Sequence, residues 1–224
     1  MVRTFGLEFW MRTLHNLVTA FAESELRLCG YDGAIGDGDH GTSMVSGFRE
    51  AWSRLSGAPA ADCGELFLQT GRAFMENVGG VTGIVFGTMF DAAGQAAAGL
   101  PALGAGDLHR MFAAGLAAAK KRGKAAEGDK SMVDSLSPAV DALRAAVERG
   151  EPVEAALAHA ARAAEDGMRA TISMEAKVGR ARYQPGKGTG HVDAGAASVC
   201  LLFQALAGAA AAESGSPATG SART

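Results

Sequence analysis

Apolar residues recur along this chain at intervals of three and four, the spacing that gathers side chains on one face of an α-helix. Leu7, Trp10, Met11, Leu14, Val18 and Phe21 form the first such stripe, and Met44, Val45, Phe48, Trp52 and Leu55 the second. Leu66, Phe67, Thr70 and Phe74 follow, then Val85, Met89, Phe90 and Ala93, then Leu108, Met111, Phe112, Leu116 and Ala119. Three more runs complete the chain: Val133 to Val147, Val153 to Ile172, and Val199 to Leu206. No stretch alternates convincingly with the period of two that marks a strand. The pattern predicts an all-α fold of eight helices, near residues 6–29, 42–56, 63–77, 83–98, 107–122, 131–149, 152–178 and 194–212. Pro138 falls inside the sixth, where a kink or a late start is expected. Residues 1–212 read as one helical domain and 213–224, ESGSPATGSART, as a disordered tail.

Short connections between helices make neighbours antiparallel. Loops one, three, five and seven then lie at one end of an up-down bundle or barrel, and loops two, four and six at the other. The second set, SGAPAAD, AGLPALGAGD and RGEP, reads as plain proline-containing turns. The first set reads YDGAIGDGDHGTS, NVGGVTG, RGKAAEGDKSM and GRARYQPGKGTGHVDAG, rich in Gly, Asp, Thr, Lys and Arg. Helices two, four, six and eight begin at that same polar end. Each start offers unpaired N–H groups and about half a positive charge, so four together predict an anion site, phosphate being the usual occupant. Thr42, Thr82, Ser131 and Asp193 are also good N-cap types, so simple capping is the competing reading for each loop alone.

Composition fits this picture. Glycine supplies 31 of 224 residues and alanine 47, a glycine usage about twice the ordinary ~7%. Alanine suits helices, whereas the glycine excess is expected in the four polar loops, where backbone must approach a ligand closely. The net charge of −3 provides no basic footprint for nucleic acid. No apolar run is expected to reach the roughly 18 residues of a membrane span, and the N-terminus has no signal-peptide core. Three widely spaced cysteines, Cys29, Cys63 and Cys200, argue against a disulfide framework and for a reducing, cytoplasmic setting.

The strongest local signal is Asp32-Gly-Ala-Ile-Gly-Asp37-Gly-Asp39-His40-Gly41. Three carboxylates so close repel unless a cation joins them, and oxygen-only ligands suit Mg²⁺ or Ca²⁺ better than zinc. Gly36 to Gly41 matches a dinucleotide fingerprint in form, yet an amphipathic helix rather than a strand precedes it. An EF-hand read from Asp37 fails at Gly41, Thr42 and Phe48, and Gly186-Lys-Gly-Thr189 fails as a P-loop. His40 could contact phosphate or order the loop, and both readings stay open. His191 is expected to shape its loop. Lys130, Arg180, Arg182 and Lys187 are solvated charges or counter-charges to a polyphosphate. His15, His109 and His159 receive no role.

The stretches AIGDGDHGTSM, GGVTGIVFGTMF, GDKSMVDSLSPA and GRARYQPGKGTGHVDAGAAS, in this order across residues 30–200, resemble the nucleotide-binding L subunits of bacterial dihydroxyacetone kinases. The resemblance implies an eight-helix barrel with nucleotide at one end. It implies that Asp32, Asp37 and Asp39 bind two Mg²⁺ ions bridging the phosphates of ADP or ATP. It implies contacts near His40, Gly41, Thr42 and Ser43 and near Val81 and Thr82, and a pocket lined by Gly123, Met132, Arg180, Asp193, Ala194 and Gly195. Met132 could equally be ordinary core. The chain departs from the family's usual residues at Val81, Thr82 and Ala194. A separate sugar-binding K subunit would be the partner, with a phosphotransferase-system protein as a second candidate partner, and no nucleic acid or membrane. The expected reaction is in-line phosphoryl transfer to a small ketose, with no general base from this chain. A kinase subunit for another ketose and a noncatalytic nucleotide-dependent protein are the rival readings.

Overall fold

The computed structural model describes residues 3–215 and contains the eight expected helices: α1 (Leu7–Gly33), α2 (His40–Gly57), α3 (Cys63–Asn77), α4 (Gly80–Ala96), α5 (Ala105–Gly123), α6 (Val133–Glu148), α7 (Val153–Ala170) and α8 (Ala194–Gly215). Each helix packs against the next, and α8 returns to α1, so the ring closes into an antiparallel barrel. The stripes read from the sequence point inward. Phe21, Phe48, Phe74, Phe112, Phe203 and Trp10 are fully or almost fully buried. Phe48 sits at the centre of an aromatic chain, with ring centroids 4.5 Å from Phe21 and 5.0 Å from Phe74, within the range where edge and offset contacts are favourable.

Several expectations need correction. The seventh helix was expected to run to 178, but α7 ends at Ala170, where the Thr171 hydroxyl donates to the Met168 carbonyl and the chain enters a short 3-10 turn. A minimal pairing exists where no strand was expected: Phe5–Gly6 and Ala102–Leu103, labelled β1 and β2, pair antiparallel at the end away from the polar loops. The eighth helix runs past the expected 212 to Gly215, and Glu213 and Ser214 bond to Arg12 and Arg3. The rest of the predicted tail, 216–224, lies outside the described residues.

Another correction concerns the membrane. Residues Ala194–Ser214 are long and apolar enough to cross one, with mean hydropathy 1.7, contrary to the expectation of no such run. In the barrel, Ala196, Val199, Leu202, Phe203, Leu206 and Ala210 of this helix are buried. Its inner face closes the core and much of its outer face is alanine, so the helix reads as apolar without any lipid.

Pro138 lies inside α6, which begins two residues later than expected, at Val133. Proline has no N–H to offer the carbonyl of Asp134. The neighbouring helix fills the space beside that carbonyl with Gly167, where any Cβ would overlap the Asp134 oxygen. Glycine is therefore not confined to the polar loops. Along the α3–α4 contact, Gly64 and Gly71 face Gly94 and Gly87, and a Cβ on Gly71 would lie 2.7 Å from both the Gly87 carbonyl oxygen and the Asp91 nitrogen. These four glycines let two backbones touch.

Candidate functional site

The odd-numbered connections do converge at one end. His40 at the start of α2 hydrogen-bonds through Nε2 to Ser198 Oγ of α8 at 2.8 Å and through Nδ1 to Thr82 Oγ1 of α4 at 3.3 Å. The start of α6 joins them, because the backbone of Gly195 lies against Met132. The long α7–α8 connection, residues 171–193, folds back over the α1–α2 loop. Ile35 packs there with Ala176 and Ala181, and Arg180 forms an ion pair with Asp37.

Asp32, Asp37 and Asp39 can place one carboxylate oxygen each so that all three lie within 4.8 Å of one another. The loop is built to do this. Asp32 ends α1 and accepts hydrogen bonds from the backbone N–H of Gly38 at 2.7 Å and of Asp39 at 3.1 Å. Gly38 makes the turn with φ +80°, a region open to glycine. Asp37 and Asp39 are exposed and Asp32 half-buried, so the carboxylates face solvent from a fixed backbone. Like charges at this spacing, with a single arginine beside them, suit a hard divalent cation.

The helix starts around this loop differ in how their donors are satisfied. Asp193 caps α8 as expected, accepting from Ala196 N at 2.7 Å. The N-cap position of α6 is Met132, without a side-chain cap, and the turn before it is held by Ser131 Oγ accepting from Val133 N at 3.2 Å and by Asp134 accepting from Ser131 N at 2.8 Å. Thr42 and Thr82 are not caps. Both lie in the first turn of their helices, Thr42 donating to Glu25 and Thr82 engaging His40. The N-cap positions of α2 and α4 are Asp39 and Gly79, and neither supplies a side-chain cap. The first-turn amides of these two helices, among them those of Gly41 and Val81, thus lack an intrahelical acceptor. They are the donors left for an anion. Ser43 N, by contrast, is satisfied by Asp39 O at 2.9 Å.

The titratable groups divide by burial. His40 is buried, and desolvation lowers its pKa to about 4 against the opposing pull of Asp32 and Asp39, so its ring is neutral. With both nitrogens engaged by hydroxyls, it orders the end of the barrel. Desolvation likewise raises Asp193 to about 6, with Lys130 pulling the other way. Lys130 is not solvated: it is 2% exposed. Its ammonium donates to the carbonyls of Thr171 and His191, and burial lowers its pKa. His191 enters through its backbone, with the residue itself exposed. Lys187 pairs with Glu175 at 3.1 Å and Arg182 lies over the Tyr183 ring. Met132 is buried in the main core, Ala194 is buried, Gly123 closes α5 beside Val85, and Val81 is 69% exposed.

Two contributors escaped the sequence reading. Ser198 looked like part of an apolar helix face, and its only signal was a hydroxyl among buried positions. Asp134 accepts from Gly128 N as well as Ser131 N and so shapes the α5–α6 loop; its signal was the Ser131-x-x-Asp134 spacing of a capping box.

The chain resembles known proteins over most of its length. It is 40% identical over 188 residues to the Escherichia coli (strain K12) "PEP-dependent dihydroxyacetone kinase, ADP-binding subunit DhaL", covering 84% of this chain and 89% of that one. It is 33% identical over 214 residues to the Mycolicibacterium smegmatis D-erythrulose kinase, covering 90% of this chain and 35% of that protein. The crystal structure of the dihydroxyacetone kinase from C. freundii in complex with AMP-PNP and Mg²⁺ superposes with a TM-score of 0.70 at 26% identity, covering 93% of this chain and 35% of that one. In these last two cases the chain corresponds to about a third of the larger protein. The DAK2 domain model matches residues 34–208, from the carboxylate loop to the far part of α8, and with the barrel and its polar end in place the chain belongs to the DAK2-domain family.

Proposed function

We propose that this chain is the ADP-binding subunit of a dihydroxyacetone kinase. It would present Mg²⁺ and nucleotide for phosphoryl transfer to a small ketose held by a separate sugar-binding subunit. The observation that carries the reading is the trio Asp32, Asp37 and Asp39, with ligand oxygens within 4.8 Å, beside the uncapped starts of α2 and α4. Mg²⁺ in that trio, two ions as the family resemblance implies, would offset phosphate charge and polarise the transferred group. The chain's own part is to position. Amides at Gly41 and Val81 would donate to phosphate oxygens, Arg180 would add a charge beside Asp37, and Gly123, Met132 and Asp193–Gly195 would border the nucleoside. His40, Thr82 and Ser198 would keep three helix starts in register. The phosphorylation of bound ADP by a phosphotransferase-system partner fits the PEP dependence in the E. coli relative's name. The free cysteines, Cys29, Cys63 and Cys200, suit the cytoplasm where such partners act.

Calorimetric titration of the purified chain with ADP, with and without Mg²⁺, tests this directly. Mg²⁺-dependent binding should vanish in Asp37→Asn while far-ultraviolet dichroism stays helical. Unchanged affinity in that variant would remove the metal assignment. The D-erythrulose kinase resemblance supplies the rival acceptor, a second small ketose. Assaying dihydroxyacetone and erythrulose side by side, with the sugar-binding subunit present, separates the two.

A further inference from the structure

We infer that Lys130 is a positioning residue for nucleotide binding: its buried ammonium pins the neck of the 171–191 segment that carries Arg180 to Asp37. The inference rests on the nucleotide reading of the polar end. The segment leaves the barrel after α7 and re-enters at α8, and between those points it contains only three short 3-10 turns. Its two sides meet at a neck, where Gly190 N donates to Ile172 O at 2.7 Å. The Lys130 ammonium donates to a carbonyl on each side of that neck, Thr171 O and His191 O. One side chain from the α5–α6 loop thereby ties both sides of the segment.

The backbone indicates that this lysine is there for its side chain. Lys130 adopts φ +61°, one of three non-glycine residues with positive φ among the described residues. That conformation is unfavourable for a residue with a Cβ, and glycine or asparagine would serve a plain turn better. A buried ammonium is also costly unless its protons are accepted. Here two carbonyls accept, and Asp193 and Asp134 supply opposite charge nearby. The segment is shaped around the stem as well. Gly188 has φ +73°, and a Cβ there would lie 3.1 Å from Lys130 Cε and 3.2 Å from Ile35 Cγ2. Beyond the neck, the segment is held by Lys177 on Asp129 at 3.2 Å and by the Ile35 cluster. Lys177 N also donates to Asp129 O at 3.0 Å and Ala176 N to Lys187 O at 2.9 Å, so losing the pin would loosen the neck while these contacts still tether the middle of the segment.

Lys130→Met, which keeps the stem and removes the ammonium, tests this through two independent measurements. Limited trypsin digestion mapped by mass needs no nucleotide. Cuts after Lys177, Arg180, Arg182 and Lys187 should speed up about tenfold, with cuts elsewhere unchanged. Affinity for Mg²⁺-ADP should fall about tenfold, and adding Arg180→Ala should cost little more than Lys130→Met alone, because both act through the same segment. Lys130→Gln, which keeps an N–H donor, should recover part of both effects, and it decides the question if the methionine variant loses helical dichroism. Wild-type trypsin sensitivity in a folded variant, or an opened segment with undiminished affinity, would overturn the inference. Absence of Mg²⁺-ADP binding by the unmodified chain would instead defeat the nucleotide reading, and the digestion would still report on the pin.

Discussion

Asp193 shows how a single side chain at this end carries two opposed demands. It caps α8, which favours a negative charge at the helix start, and it is shielded enough from water that its pKa rises to about 6 from 3.8. Between those values the folded state holds a proton that the unfolded chain has released. The group therefore contributes stability at low pH that is lost as pH rises through about 6. In metal-free protein, Asp193→Asn keeps an acceptor for the Ala196 amide and removes the titration. Denaturant unfolding at pH 5 and pH 7 should show the fall in stability between them shrink in the variant, by about 1–2 kcal/mol. An identical pH dependence in both proteins would show that Asp193 ionises without penalty. Residue identity was legible in the sequence at this scale, but burial was not. The aspartates of the carboxylate loop stood out by spacing, whereas Lys130 and His40 could not be told from solvated or ligand-facing groups, because what surrounds them comes from loops more than 40 residues away.

At the scale of elements, the helices were legible because each has a broad apolar stripe, and α3 begins and ends at the expected residues. Periodicity failed where its signal outlasts the helix. Ile172 continues the α7 stripe, yet Thr171 turns the backbone away. Composition misled about glycine, since a count cannot separate a loop glycine from one at a helix crossing. The α3–α4 seam makes that distinction measurable. Gly71→Ala should lower stability by about 2–4 kcal/mol despite alanine's better helix propensity, because its Cβ would meet backbone atoms that cannot turn aside. Gly208→Ala, on the exposed face of α8 with nothing within 4 Å, should raise stability by about 0.5–1 kcal/mol. Equal effects at the two sites in thermal or chemical unfolding would contradict the close-packed seam.

For the whole molecule, alternation of direction was enough to place four polar loops together, since short connections leave helices little choice. Closure of the ring came from the family resemblance, which implies a barrel, and not from periodicity, for the contact that closes it joins the first helix to the last. Around it Arg3 bonds to Glu154 and Ser214, and Arg12 to Glu213 at 2.9 Å. These pairs are partly exposed, so each adds little. Together they predict that a chain ending at Ala212 melts a few degrees below one ending at Gly215, by about 1 kcal/mol in unfolding free energy. Equal melting temperatures would mean that the last turn of α8 contributes nothing to closure.

The same closure has a topological consequence. Arg3 and Ser214 are within hydrogen-bonding distance, at 3.1 Å, on the face opposite the carboxylates. A short linker from Gly215 to Arg3 would join the first and last described residues, and fresh ends cut in the turn at 149–152 would give a circular permutant with its mouth untouched. By the same geometry, a second domain joined directly at Arg3 or Gly215 would hang from the floor of the barrel and leave the mouth clear for whatever docks there.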